Sequence, residues 1–112
     1  MLSEMQINLV VNQIVTNYNP EKILIFGSYA QDTATEISDL DLLIIKDTDL
    51  PQNKRNYEVR KLLKGVLFPI DILVYTPKEI ELFRNEKFTF LYQALKTTKI
   101  VYDINRKNSG MD

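Results

Sequence analysis

The sequence predicts an α/β fold of the α+β type, a small mixed β-sheet flanked by helices. Two short apolar runs, at 23–26 and 42–45, are rich in Ile and Leu and lack helical periodicity, so we interpret them as buried strands. A third apolar run covers 70–75, and stretches with helical spacing of apolar residues surround these runs. With 112 residues, the chain is long enough for one domain with a single modest core.

The first predicted element is a helix over Leu2–Tyr18. Ser3 and Gln6 have the spacing of a capping box, and Asn19-Pro20 ends the helical pattern. The apolar positions that recur at helical spacing are Ile7, Val10, Val11, Ile14 and Tyr18. This helix is expected to pack on the sheet, beside a first strand at Ile23–Phe26.

A polar connection follows the first strand. Gly27-Ser28 is predicted to make a sharp turn, Tyr29 and Ala30 to begin a short helix, and residues 31–38 to form a loop. The second strand comes next, at Leu42–Ile45, with two aspartates at its head.

A second helix is predicted over Asn53–Val66. Its buried stripe consists of Val59, Leu62, Leu63 and Val66. Its other positions include five basic residues, Lys54, Arg55, Arg60, Lys61 and Lys64. We interpret this basic face as solvated; the alternative is a surface that meets an acidic partner, RNA or the triphosphate of a nucleotide.

The last third of the chain begins with a third strand, Ile70–Tyr75. Thr76, Pro77 and Glu79 have the pattern of a helix start, and one or two helices are predicted beyond them with a break near Asn85. A final short strand is expected at 99–102. The predicted domain covers 1–104, and the polar residues 105–112 are expected to form a flexible tail.

Composition excludes several classes of chemistry. The chain has no cysteine and no histidine, which excludes thiol nucleophiles, Ser-His-Asp chemistry and most zinc sites. A net charge of −1 argues against a broad nucleic-acid surface. No apolar run reaches membrane-spanning length and no signal peptide opens the sequence, so a cytoplasmic protein with no membrane contact is expected.

The candidate site lies around the two central strands. Asp39 and Asp41 are expected on one face, because strand side chains alternate, and two neighbouring carboxylates favour a hard cation such as Mg²⁺. Gly27 allows a close approach of the backbone to a ligand, and Ser28 offers a hydroxyl beside amides suited to phosphate. The alternative is an ordinary Gly-Ser turn and a solvated strand end.

Asp71 is a single acid in an otherwise apolar strand. If this strand lies beside the strand that carries Asp39 and Asp41, the three carboxylates form a triad. The spacing alone leaves open whether the strands are neighbours, and Asp71 as a capping or salt-bridged residue is the alternative.

The run Gly27-Ser28, ten intervening residues and Asp39-Leu40-Asp41 resembles the signature of the DNA-polymerase-β-like nucleotidyltransferase superfamily. Within it, the chain is similar to the minimal nucleotidyltransferases (MNT), which include MntA-like antitoxins paired with HEPN-domain ribonuclease toxins. One departure is that MNT loops commonly carry a basic residue and a glycine where this chain has Gln31 and Asp32.

The resemblance implies a function for each candidate residue. Asp39, Asp41 and Asp71 would be catalytic and would hold two Mg²⁺ ions, with Asp71 on a neighbouring strand. Gly27, Ser28 and Tyr29 would bind ATP, and AMP would pass to a hydroxyl, often of tyrosine, on the HEPN toxin. Two alternatives remain: an antitoxin that neutralises its toxin by binding with little catalysis, and nucleotidyl transfer to RNA or a small molecule.

Overall fold

The computed structural model describes residues 1–109 and has a four-stranded sheet with helices packed on both faces. The predicted fold class is confirmed. In chain order the elements are α1 Glu4–Tyr18, β1 Lys22–Phe26, a one-turn 3₁₀ helix Gly27–Tyr29, β2 Leu40–Ile45, α2 Gln52–Lys61, β3 Ile70–Tyr75, α3 Pro77–Phe83, α4 Phe90–Leu95, β4 Lys99–Asp103 and α5 Ile104–Ser109.

The sheet has the strand order β3-β2-β1-β4 and is mixed. β1 runs antiparallel to β2 and β4, whereas β2 and β3 are parallel and joined through α2. The third predicted strand is therefore a direct neighbour of the strand that follows Asp39. Its register places Asp71 opposite Asp41, an adjacency that sequence spacing left open.

Each face of the sheet has its own apolar core, because strand side chains alternate between faces. One core joins α1 and α2 to the strand residues Ile23, Ile25, Leu40, Leu42, Ile44, Ile70, Ile72 and Val74. The other joins α3 and α4 to Leu24, Phe26 and Leu43. Among residues 1–109, no helix is long and apolar enough to cross a bilayer.

Two helix starts form as their sequence patterns predict. The Ser3 hydroxyl accepts the Gln6 N–H at 3.1 Å, and the Gln6 side chain accepts the Ser3 N–H at 2.8 Å. Thr76 and Glu79 make the same reciprocal pair at 3.1 and 2.8 Å. Each capping box gives hydrogen-bond partners to N–H groups that a helix start leaves unpaired. This local effect explains why the sequence pattern alone is sufficient to predict where the helix begins.

Several predicted element ends differ from those in the structure. α1 begins at Glu4, not at Leu2, and β2 begins at Leu40, not at Leu42, which places Asp41 within the strand. The second helix ends at Lys61, not at Val66, because the chain tightens into turns with i−3 hydrogen bonds and a left-handed Gly65 at φ 91° before β3. The helix expected to begin at Tyr29 is instead the 3₁₀ turn that starts at Gly27, whose carbonyl accepts the N–H groups of both residues 30 and 31.

The predicted tail over 105–112 begins within a helix. Residues 104–109 form α5, whose start is held by the Asn105 N–H donating to the Asp103 carboxylate at 3.0 Å. The N–H of Ile104 also donates to the carbonyl of Glu21 at 3.0 Å, which ties this helix to the sheet. Residues 110–112 of the predicted tail lie outside the described residues.

Arg55 was expected on the solvated basic face of the second helix, and it is instead buried. Its guanidinium donates to both carboxylate oxygens of Glu79, at 2.7 and 3.2 Å, and to the carbonyl oxygens of Leu50 and Val74 at 2.8 and 3.1 Å. Partial burial raises the pKa of Glu79, but hydrogen bonds from Arg55 and Thr76 outweigh this and hold it below its ordinary value. The pair thus joins α2 to α3 around the β3 edge.

Candidate active site

Two of the three predicted carboxylates lie side by side on the face of the sheet covered by α3 and α4. Asp41 pairs in register with Asp71 on β3 and with Phe26 on β1, so the three side chains share that face. Asp41 is half-buried and Asp71 is exposed. Asp39 is exposed, lies just before β2 and is not among the residues that line the pocket beside Asp41 and Asp71.

The electrostatics of this cluster fit a cation. Burial raises the pKa of Asp41 to about 6, with further contributions from the charge of Asp71, a hydrogen bond to Asp71 and the charge of Asp39. Three carboxylates therefore interact, and a bound divalent cation would offset their repulsion. The donors are all oxygen atoms, which suits Mg²⁺.

The arrangement is not a complete metal cage. Within residues 1–109, no three acidic, His or Cys side chains converge in the manner of a preformed metal site. The structure brings Asp41 and Asp71 together, whereas Asp39 interacts with Asp41 only electrostatically, by raising its pKa. A shared metal at all three carboxylates therefore stays a prediction.

Gly27 is required by its place against Asp41. Its φ of 71° lies in the left-handed region, and a Cβ atom built on it would collide with the Asp41 carboxylate. The turn at Gly27–Tyr29 consequently packs its backbone directly on the acidic site. Because the first N–H groups of a helical turn lack partners within the turn, they are available to an anion there.

The other two predicted nucleotide-binding residues differ in their surroundings. Ser28 is half-buried within the turn, and its carbonyl accepts the Thr33 N–H at 2.9 Å. The Tyr29 hydroxyl accepts the Leu2 N–H at 2.9 Å, and its ring packs against the core beneath α1. Tyr29 thus anchors the turn through its side chain, which leaves its backbone as the part suited to contact a nucleotide.

Asp32 retains the backbone conformation that glycine would favour. Its φ is 59°, in the left-handed region, at the position where similar loops commonly carry glycine. Its carboxylate pairs with Lys99 at 3.1 Å, so β4 offsets the extra negative charge of the loop. Gln31 beside it is exposed.

The carboxylate pair lines a pocket of about 410 Å³ whose walls sequence reasoning did not identify. The further residues that line it are Phe26, Asn56, Arg60, Ile72, Leu73 and Phe90. Arg60 was predicted only as one member of a basic helix face, and Phe90 only as part of the helices expected beyond Glu79. Their spacing gave no signal, since both depend on how α2 and α4 pack around β3.

The comparison with protein families decides the identity. Residues 10–107 match the family model described as "Polymerase beta, Nucleotidyltransferase". The chain belongs to this nucleotidyltransferase family. The match spans most of the chain and includes the Gly27–Tyr29 turn together with all three aspartates, and the protein is accordingly a nucleotidyltransferase.

The nucleotidyltransferase resembles a curated protein and several solved structures. A protein of Methanocaldococcus jannaschii named "Putative protein adenylyltransferase" is 30% identical over 106 residues, covering 91% of this chain and 100% of the relative. A structure of a toxin–antitoxin with AMP-PNP is 22% identical with a TM-score of 0.62, covering 96% of this chain and 79% of that one. A tri-AMPylated Shewanella oneidensis HEPN toxin in complex with MNT antitoxin is 16% identical with a TM-score of 0.55, covering 96% and 78%.

Without divalent cations, the Asp41→Asn variant of this nucleotidyltransferase is expected to be more stable than the parent at neutral pH. The folded state raises the pKa of Asp41 from 3.8 to about 6, so it binds the proton more tightly than the unfolded chain. Ionisation above pH 6 therefore destabilises the parent, and its free energy of unfolding should rise as pH falls from 7 towards 4. We expect a gain of about 1 kcal/mol for the variant, after allowance for solvent screening.

Urea titrations of both proteins in EDTA, at neutral and mildly acidic pH, measure this difference. The advantage of Asp41→Asn should shrink as the buffer becomes acidic, and Mg²⁺ should raise the Tm of the parent alone. Asp49→Asn, which removes an exposed carboxylate outside the site, is the matched control. A variant less stable than the parent at neutral pH would contradict the crowding of charge at Asp41.

Proposed function

We propose that this nucleotidyltransferase transfers AMP from ATP to a hydroxyl, that of a tyrosine, on a cognate HEPN ribonuclease toxin, and thereby acts as its antitoxin. The observation that carries the proposal is the Asp41–Asp71 pair in register beside the glycine turn. The names of the similar proteins support it, since they include a protein adenylyltransferase and an AMPylated toxin bound to an MNT antitoxin.

The turn at Gly27–Tyr29 positions the donor nucleotide in this proposal. Backbone N–H groups of the turn and the Ser28 hydroxyl donate to the phosphates of ATP. The missing side chain at Gly27 lets the turn pack directly on Asp41, because a Cβ atom there would collide with the carboxylate. Phosphates bound by the turn would therefore lie close to Asp41. Lys99 keeps the Asp32 carboxylate paired, which limits its repulsion of the phosphates.

Asp39, Asp41 and Asp71 would hold Mg²⁺, and we expect two ions, which when bound neutralise phosphate charge and favour ionisation of the attacking hydroxyl. The hydroxyl oxygen attacks the α-phosphorus, a new O–P bond forms, and the bond to the pyrophosphate oxygen breaks. The hydroxyl proton leaves towards Asp71, which is exposed and able to act as general base.

A second candidate function is an antitoxin that neutralises by binding with little catalysis. The exposed Gln31 favours this alternative. Similar loops commonly carry a basic residue at that position, which adds positive charge near the phosphates, and this chain lacks that charge. The Asp41–Asp71 pair weighs against it, since a purely binding protein needs no crowded carboxylates. Transfer to RNA or a small molecule is the third, weaker alternative.

Intact-mass spectrometry tests the proposed function. The protein is mixed with ATP, Mg²⁺ and a cognate HEPN-domain toxin, and both chains are weighed. The toxin is expected to gain one or more AMP units, and tandem mass spectrometry should locate them on tyrosine. A stable complex with no mass gain from any of the four nucleoside triphosphates would instead favour the binding antitoxin.

A further inference from the structure

Asn56 and Arg60 of α2 line the pocket beside Asp71. They are four residues apart, so they lie on one side of the helix. Val59 packs α2 into the core on the opposite face of the sheet, and the two polar side chains therefore reach the pocket around the edge strand β3. They form a polar wall of this pocket, beside the two carboxylates.

The polar atoms of this wall are placed for a ligand. Arg60 donates at 2.9 Å to the carbonyl of Ile70, the residue before Asp71. This bond fixes the guanidinium beside the pocket and leaves other N–H groups for a second acceptor. The Asn56 Oδ1 atom is buried and has no hydrogen-bond partner within the part of the chain described. A buried polar atom without a partner costs free energy, and a donor on a bound molecule would remove that cost.

The opposite wall is aromatic. Phe90 of α4 is 56% exposed and meets Phe26 edge to face, with ring centroids 5.6 Å apart. Leu73 contributes further apolar surface to the same pocket. A ring that enters between these residues would find both an edge-to-face partner and apolar contact, which favours an aromatic side chain over a small aliphatic hydroxyl.

The direction of attack indicates which substrate enters here. In an in-line displacement, the attacking oxygen and the leaving oxygen lie on opposite sides of the phosphorus. Pyrophosphate would leave over the turn at the end of β1, and the sheet order places β3 on the far side of β2. The acceptor hydroxyl must therefore approach over Asp71, where Arg60 and Phe90 stand.

We propose that Asn56, Arg60 and Phe90 form the subsite that receives the aromatic side chain of the acceptor protein. This rests on the proposed function. The acceptor ring packs against Phe90, and the Asn56 amide oxygen accepts a hydrogen bond from the acceptor segment. The O–P bond forms while the bond to pyrophosphate breaks, and the hydroxyl proton leaves towards Asp71. During this step the Arg60 guanidinium stabilises the negative charge on the attacking oxygen.

Steady-state AMP transfer by Arg60→Met to a cognate HEPN toxin tests this subsite. We expect kcat/KM for the toxin to fall by about 10-fold or more, with KM for ATP unchanged, since a lost charged hydrogen bond acts only on the acceptor side. Arg60→Lys should recover part of the loss because it keeps the charge. Lys61→Met, which removes an exposed charge paired with Glu58 outside the pocket, is the control.

Asn56→Ala distinguishes a binding role from a structural one. It removes an unpaired buried oxygen, so its Tm should equal or exceed that of the parent while kcat/KM for the toxin falls. If Arg60→Met instead raises KM for ATP and spares the toxin, the pocket takes the nucleotide and the inference is wrong. A parent protein that transfers no AMP at all overturns the proposed function first, and the inference with it.

Discussion

Replacing Asp39 by Asn is expected to abolish AMP transfer, a loss of at least about 10³-fold, while the protein folds normally. Charge stabilisation at a metal-assisted phosphoryl centre is worth several kcal/mol, and each 1.36 kcal/mol is about tenfold in rate. Asp39 is exposed just before β2, so its amide isostere should change the free energy of unfolding by less than about 0.5 kcal/mol.

Single-turnover transfer to the HEPN toxin, followed by intact mass, measures this loss. Asp49→Asn removes an exposed carboxylate that follows the carboxyl end of β2, at the opposite end of the strand from Asp39. This variant should transfer AMP at the parental rate. Circular dichroism and Tm establish that both variants are folded. Transfer by Asp39→Asn within tenfold of the parent would rule out Asp39 as a ligand of the essential metal.

The same variant separates an enzyme from a binding antitoxin. If AMP transfer silences the toxin, Asp39→Asn should fail to protect cells that express it, even though the two proteins still form a complex. If complex formation alone neutralises the toxin, the variant should protect as well as the parent. Co-purification of toxin and variant is the readout that keeps these outcomes apart.

Local sequence patterns predicted most of the fold because their physics is local. The capping boxes at Ser3 and Thr76 satisfy backbone groups within one helical turn, and both form as expected. The strand at 70–75 was predicted with its observed bounds, because the apolar run ends where the helix-start pattern at Thr76-Pro77 begins. What spacing could not supply was the pairing of this strand with β2, which depends on the crossover through α2.

The pocket walls were missed for a related reason. Arg55, Asn56 and Arg60 are all polar residues of α2, and composition alone places such residues in solvent. One signal was available: Arg55 lies four residues before buried Val59, on the helix side that faces the core. The reach of Asn56 and Arg60 around the β3 edge follows only from the tertiary packing.

Arg55→Met is expected to lower the free energy of unfolding by about 3 kcal/mol. Breaking a buried ion pair by removing one partner is strongly destabilising, because the partner and its hydrogen-bonding groups lose their compensation. Here the losses include the bidentate contact to Glu79 and the donor to the carbonyl of Leu50. The total free energy of unfolding of a domain is only about 5–15 kcal/mol, so the Tm of the variant should fall by more than about 10 °C.

Lys61→Met is the matched control for this prediction, since it removes a positive charge from the same helix at an exposed pair with Glu58. Its cost should stay below about 0.5 kcal/mol, as for other exposed pairs one helical turn apart.

The effect of Arg55→Met should also depend on pH in a defined direction. The pKa of Glu79 is held below its ordinary 4.5, so the contribution of the pair is complete above that pH and is lost as Glu79 becomes protonated at lower pH. Urea titrations should therefore show parent and variant converging in acid. A gap that stays constant there would mean that Arg55 stabilises the fold through its contacts with carbonyl oxygens and not through Glu79.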